Sequence, residues 1–226
     1  MTLLRPVPSL PEQPKKITPA GLRLQLVATE GGENSQRTND GHYSLPAQVA
    51  LSYNLRAGLL CDDLLLSHEA IGDLHLSIRQ AWNQAASNSI NVESDAKGVA
   101  VQTRPSRFLT GDRTPGVQIN FTHTQPTAWL AHPHTFKTLY LHLCSILREE
   151  ACFYAISDSI LLATGLCDSR IELESWIAEL EVPPAKVSRR IYYRNGFPST
   201  RPSTRLPAAP AAVLPRRTQM RHIKAA

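Results

Sequence analysis

Ala128–Leu147, AWLAHPHTFKTLYLHLCSIL, decides how the rest of the chain is read. Phe136, Leu139, Tyr140, Leu143, Ile146 and Leu147 recur at intervals of three and four residues, the spacing that lines one face of an α-helix. Pro133 suits the first turn, where a missing N–H costs nothing. The pattern predicts a helix from Pro133 to about Arg148, with Glu149 and Glu150 turning to solvent. Ahead of it, Ala128–Ala131 is an apolar run long enough only for a short strand. Behind it, Cys152–Ile156 and Ser159–Thr164 are β-prone runs on either side of Ser157-Asp158, which reads as a tight hairpin. Burial of the helical stripe against such strands contributes roughly 1.5–3 kcal/mol per large side chain.

Working outward toward the C-terminus, Ser169 and Glu172 form a capping-box pattern that opens a helix over Asp168–Glu181. Its stripe is Leu173, Trp176, Ile177 and Leu180, and Pro183-Pro184 stops it. Toward the N-terminus, Val99–Thr103 and Val117–Phe121 read as strands around the loop Thr110–Gly116. A second capping box, Ser77 with Gln80, opens a helix that Asn88 and Ser89 should end. Ser67–Gly72 reads as one helical turn, and Leu64–Leu66 is a short apolar run ending at Ser67. Pro46–Leu55 alternates Val49, Leu51, Tyr53 and Leu55 as a single strand would, and Gly21–Thr29 alternates Leu22, Leu24 and Leu26.

The expected class is therefore α+β. An antiparallel sheet of about five to seven strands carries helices packed on it, and the order from Ser77 is helix-strand-strand-strand-helix-strand-strand-helix. That order is similar to the type III secretion chaperone fold. Residues 1–18, with Pro6, Pro8, Pro11 and Pro14, read as a flexible arm, residues 19–182 as one domain, and residues 183–226 as a basic disordered tail.

Charge supports that division. Ten of the 24 Lys and Arg residues fall between Lys186 and the end, without one Asp or Glu, so residues 1–185 hold 14 basic against 19 acidic side chains. The net +5 of the whole chain belongs to the tail, and the body is mildly acidic. Hydrophobic residues make up 42% of the chain, enough for one core, and no run approaches the ~18 apolar residues of a membrane-spanning helix. The four cysteines, Cys61, Cys144, Cys152 and Cys167, are scattered as free thiols would be. No signal-peptide core precedes them, so a cytoplasmic protein is expected.

Trp82–Asn88 (WNQAASN), Ala128–Phe136 (AWLAHPHTF) and Ser159–Thr164 (SILLAT) resemble an uncharacterised actinobacterial protein family over roughly residues 45–181. That family has no assigned activity, so the resemblance implies no functional residues.

His132 and His134 form a His-x-His pair, with His123, His142 and Cys144 nearby in sequence, and such ligands suit zinc in a metal-dependent hydrolase. Pro133 disturbs the extended geometry the pair needs, and His134 and His142 lie about 12 Å apart along a helix. No Gly-x-Ser-x-Gly elbow is present, and Gly31-Gly32 is not followed by Gly-Lys-Ser/Thr. Cys144, Cys152 and Cys167 read as core thiols, Asp62-Asp63 and Glu149-Glu150 as solvated pairs, and Trp82, Trp129 and Trp176 as core anchors. No cofactor site is expected. In the tail, Arg189, Arg190 and Arg194 flank Tyr192 and Tyr193, and Arg216-Arg217 follow. Arginines beside stacking rings suit unpaired nucleic acid or an anionic surface, and phosphorylation at Ser199, Thr200, Ser203 or Thr204 would weaken the attraction. The leading expectation is a non-catalytic protein-binding or adaptor domain, with a protein partner or a homodimer face. The alternatives are nucleic-acid association through the tail and the hydrolase at His132 and His134.

Overall fold

In chain order the strands are β1 (Arg23–Ala28), β2 (Gln48–Ala50), β3 (Leu55–Cys61), β4 (Leu64–Leu65), β5 (Ser94–Asp95), β6 (Gly98–Pro105), β7 (Val117–Asn120), β8 (Ala151–Ala155), β9 (Leu161–Gly165), β10 (Ile191–Arg194), β11 (Phe197–Ser199) and β12 (Met220–Lys224). The helices are α1 (His68–Asp73), α2 (Ile78–Glu93), α3 (Arg107–Thr110), α4 (Pro133–Leu147) and α5 (Ile171–Glu179). This computed structural model describes residues 16–29, 38, 45–111, 115–168, 171–179, 187 and 189–202, with the backbone of 220–224.

The fold is α+β, with two sheets. In the smaller one β1 pairs along its whole length with β3, which shares its other edge between β2 and β4. The larger runs in the order β11-β10-β8-β9-β7-β6-β12, with β5 folded back on β6. Its pairings are antiparallel except β12 on β6, which is parallel. At its centre, every residue of β8 and β9 is buried, which is why ACFYA and LLATG read as continuous apolar runs. Phe153, Leu161 and Ala163 face the main core. Tyr154 and Leu162 face the other way, into a small cluster closed by Leu173 of α5 and Leu109 of α3.

α4 occupies the main-core side, as its spacing predicts. Phe136, Leu139 and Leu143 are fully buried. The Phe136 ring meets Phe153 and Tyr193 edge-on, each at 5.2 Å, and Tyr140 stacks on Tyr193 at 4.2 Å. Arg148 ends the helix in the left-handed region, at φ 61°. The capping box of α2 is present in full, with Gln80 N–H donating to Ser77 Oγ and Ser77 N–H to Gln80 Oε1.

Four expectations about single elements are corrected. Ala128–Ala131 is no strand: Pro126–Ala131 is a 3-10 segment whose six residues are all buried. It packs beside β1 without joining either sheet, and Trp129, stacked on Phe121 at 4.3 Å, fixes it there. α2 passes through Asn88 and Ser89 to Glu93. Their polar groups are used without breaking the helix, because Asn88 Nδ2 donates to the carbonyls of Pro19, Ala20 and Leu22 and Ser89 Oγ to Ala85. The single strand expected over Pro46–Leu55 is a hairpin, turning where the Leu51 and Ser52 N–H groups donate to Leu55, so Tyr53 stands 88% exposed. The loop between β8 and β9 likewise spans Ile156–Ile160, wider than a two-residue turn.

The largest correction concerns the tail. β10 pairs with β8 and β11 with β10, so residues 191–199 extend the sheet beyond the boundary at 182. Asn195 and Gly196, with φ of 51° and 92°, make the two-residue turn between them. Gly196 is also pressed on α4: a Cβ there would come within 3.1 Å of Pro133 Cβ. Asp62 and Asp63, φ 48° and 63°, form the equivalent turn between β3 and β4 and are exposed, as expected.

Leu143→Ala, which leaves a cavity between α4 and the sheet, should lower unfolding free energy by about 2–5 kcal/mol. Lys137→Ala, on the exposed face of the same helix, should change it by less than ~0.5 kcal/mol. Urea denaturation of the two variants checks the assignment of the faces.

Candidate functional site: a histidine junction and a buried arginine

His132 links the 3-10 segment to α4 and caps the helix. Its backbone is extended, at φ −143° and ψ 137°, and its Nδ1 accepts the His134 N–H at 3.1 Å. An imidazole thus fills the place that Ser or Asp usually takes. That bond fixes the tautomer: Nε2 carries the hydrogen and lies 3.2 Å from Asn83 Oδ1. Trp82 leans on the ring at a centroid distance of 4.5 Å, while its own Nε1 donates to Ala131 O at 2.9 Å. Burial, with a smaller contribution from His134, pushes the His132 pKa down to about 4.

Both ring nitrogens of His132 are therefore engaged within the protein. His134 and His123 are exposed and His142 is half-buried on α4. Among the described residues no group of three or more His, Cys, Asp or Glu side chains is placed to hold a metal ion.

Arg190 was expected on a disordered tail and is instead 3% exposed. Its Nε donates to the Tyr154 hydroxyl at 2.8 Å, and its terminal nitrogens to Thr164 Oγ1 and to the carbonyls of Leu166 and Asp168, each at 3.3 Å. Burial holds the Tyr154 hydroxyl above its ordinary pKa, only partly offset by the guanidinium, so it stays a neutral acceptor. The fork fastens the chain entering β10 to the turn between β9 and α5. Tyr192 is buried and Tyr193 lies in the α4 stack, so neither ring is open to a base. Arg189 and Arg194 are exposed, and Arg216 and Arg217 lie outside the described residues.

Glu93, at the end of α2 and 4% exposed, is a tie that the sequence reading missed. Its carboxylate accepts the N–H groups of Thr122 and His123 and the Thr124 hydroxyl, and the same hydroxyl oxygen accepts Trp129 Nε1–H. Nothing local in the sequence couples Glu93 to residues 29 to 31 positions away, and Asn83 is equally silent as the partner of His132. The cysteines are all unbridged. Burial raises the Cys144 thiol above its usual pKa, against the Ala151 N–H and Tyr140 hydroxyl bonds, and this fits an inert core group. Cys152 is buried as expected, but Cys167 is exposed, on the turn after β9, because its segment is held by its backbone N–H donating to Glu149 Oε2.

The open surface differs in character. Phe108 of α3 is 67% exposed, with the Arg107 guanidinium 5.8 Å from its ring, and Ile171 at the start of α5 is 77% exposed. Leu109, Trp176 and Ile177 are only partly covered as they pack on the small cluster. Glu172 and Glu174 are exposed on the first turn of α5. Among the described residues no helix is long and apolar enough to cross a membrane.

No protein family, no curated protein and no solved structure matches this chain.

Because His132 is neutral in the folded protein down to about pH 4 but titrates near 6.5 once unfolded, the unfolded state takes up the proton first as pH falls. Its contribution to stability is complete above pH 6.5 and is lost between 6.5 and 4. His132→Asn, which keeps a capping acceptor, should flatten the loss of urea midpoint between pH 7 and 4.5 relative to the unmodified chain. Arg190→Ala should destabilise by about 3 kcal/mol, since buried acceptors lose their donors. Arg190→Lys should recover less than half of that, as chemical denaturation would report.

Proposed function

We propose that this protein is a non-catalytic binding or adaptor domain that takes a protein partner on the layer formed by α3 and α5. The observation that carries this reading is that Phe108 on α3 and Ile171 on α5, the two helices that close the small cluster, are exposed, while Leu109, Trp176 and Ile177 are only partly covered. Large apolar side chains gathered at one place on a surface favour a partner that covers them. Arg107 on one side and the acidic first turn of α5 on the other supply a charged rim, which would set orientation. The internal use of His132, Arg190 and Glu93 agrees with it, because these polar groups are engaged in joining elements of the fold.

The experiment compares the unmodified chain with Phe108→Asp/Ile171→Asp in quantitative cross-linking from a lysate of its native source. Both substitutions lie on the surface and should leave stability within about 1 kcal/mol, verified by thermal melting. The expected result is one or a few cross-linked proteins that lose at least tenfold in yield with the variant. An unchanged set of cross-linked proteins rejects this face as the binding surface.

A further inference from the structure

We infer that the outer edge of β6 is a peptide-docking edge, and that Met220–Lys224 is the chain's own tethered occupant, which a partner's extended segment must displace. Three observations lead there. First, β12 has a strand partner on one side only, over five residues from Met220↔Val99 to Lys224↔Thr103, and apart from that partner it approaches α4. Second, this pair is parallel where every other described pairing of the sheet is antiparallel, and parallel pairing is slightly weaker per residue. Third, β12 does not follow its neighbour in sequence. The preceding strand, β11, lies at the opposite end of the strand order, and 17 residues, 203–219, separate Pro202 from Met220. Closing a connection of that length costs more chain entropy than the two-residue turns joining β3 to β4 or β10 to β11.

β6 also has pairing and core contacts apart from its occupant. Val99, Val101 and Thr103 of β6 are buried in the sheet, and β7 pairs with Gln102–Pro105 from the other side. Removal of β12 therefore leaves a formed strand with a row of unpaired N–H and C=O groups, the template that β-strand addition uses. The ligand is an extended peptide recognised mainly through its main chain. This edge belongs to neither α3 nor α5, so its test stands or falls separately from that of the Phe108–Ile171 face.

The test uses the full chain and the variant His222→Pro/Ile223→Pro. Successive N–H groups of a strand point to opposite edges, so one of the two prolines removes a donor aimed at β6. The probe is a fluorescein-labelled peptide of residues 217–226, read by anisotropy, with hydrogen exchange of residues 98–105 measured in parallel. A tethered occupant competes at an effective concentration near the millimolar range, so the variant should bind the peptide roughly tenfold or more tightly than the unmodified chain. Exchange at Val99–Thr103 should be faster in the variant and slow again when the peptide is added. Equal affinity for the two proteins, no binding to the variant, or binding that leaves exchange of β6 unchanged overturns the proposal.

Discussion

Everything in this fold turns on the seating of Phe136. The ring is fully buried and meets two other rings edge-on, Phe153 from β8 and Tyr193 from β10. Edge-to-face pairs of this kind contribute about 0.5–1.5 kcal/mol each beyond the apolar area they bury. Their larger effect is geometric. One side chain on α4 fixes the helix against two adjacent strands that are 40 residues apart in sequence, and Tyr140 extends the contact one turn along the helix by stacking on Tyr193. With α4 placed on one face, β8 and β9 still need cover on the other, and α5 with α3 supplies it through Leu173 and Leu109. The three-layer centre follows from a strand pair that carries apolar groups on both faces.

Around that apolar centre, three ionisable side chains join elements that hydrophobic contact alone would leave free to slide. His132 fixes the start of α4 to α2 through Asn83. Glu93 ties the end of α2 to the segment after β7. Arg190 locks the entry to β10 onto the turn after β9. Each is saturated by neutral partners, so each is costly to disturb and has little capacity left for a ligand. The polar groups of His132 and Arg190, which a reader of the sequence would consider for ligand chemistry, are here spent on assembly. That is the physical reason the proposed binding role rests on apolar surface.

Much of the fold was legible because it depends on local pattern. The stripe of α4, the capping box at Ser77 and the twin apolar runs at β8 and β9 are each decided within a dozen residues, and all are present. What failed depended on partners distant in sequence. The segment at Trp129 looks like a strand until its burial beside β1, with the Trp129 ring stacked on Phe121, is known. Asn88 looks like a stop signal until the carbonyls of Pro19, Ala20 and Leu22 are found waiting for its amide. The tail error was of another kind. Asn195-Gly196 between Tyr192-Tyr193-Arg194 and Phe197 is a strong local hairpin signal, and the surrounding arginines and prolines masked it. Charge composition describes a stretch on average, whereas a two-residue turn and a pair of tyrosines are enough to bring it into the sheet. The candidate site was less legible than the fold, since neither Asn83 nor Glu93 announces its partner.

The two edges of the large sheet close in different ways, and the difference bears on how the molecule meets others. At one end β11 is three residues long and carries Pro198, which removes one main-chain donor. The chain just beyond it is fastened to the small sheet's hairpin, with the Thr200 hydroxyl donating to Asn54 and Arg201 lying over Tyr53 at 5.1 Å. A short, proline-bearing strand held by side chains offers little for another chain to pair with. At the other end β6 is the longest strand of the sheet, eight residues, and its cover arrives from far along the sequence as a parallel segment. Parallel addition across so long a connection adds main-chain pairing without adding a turn that would fix it. An edge closed in that manner protects against indiscriminate strand pairing while remaining open to replacement, and the opposite edge, closed by composition and side-chain contacts, does not.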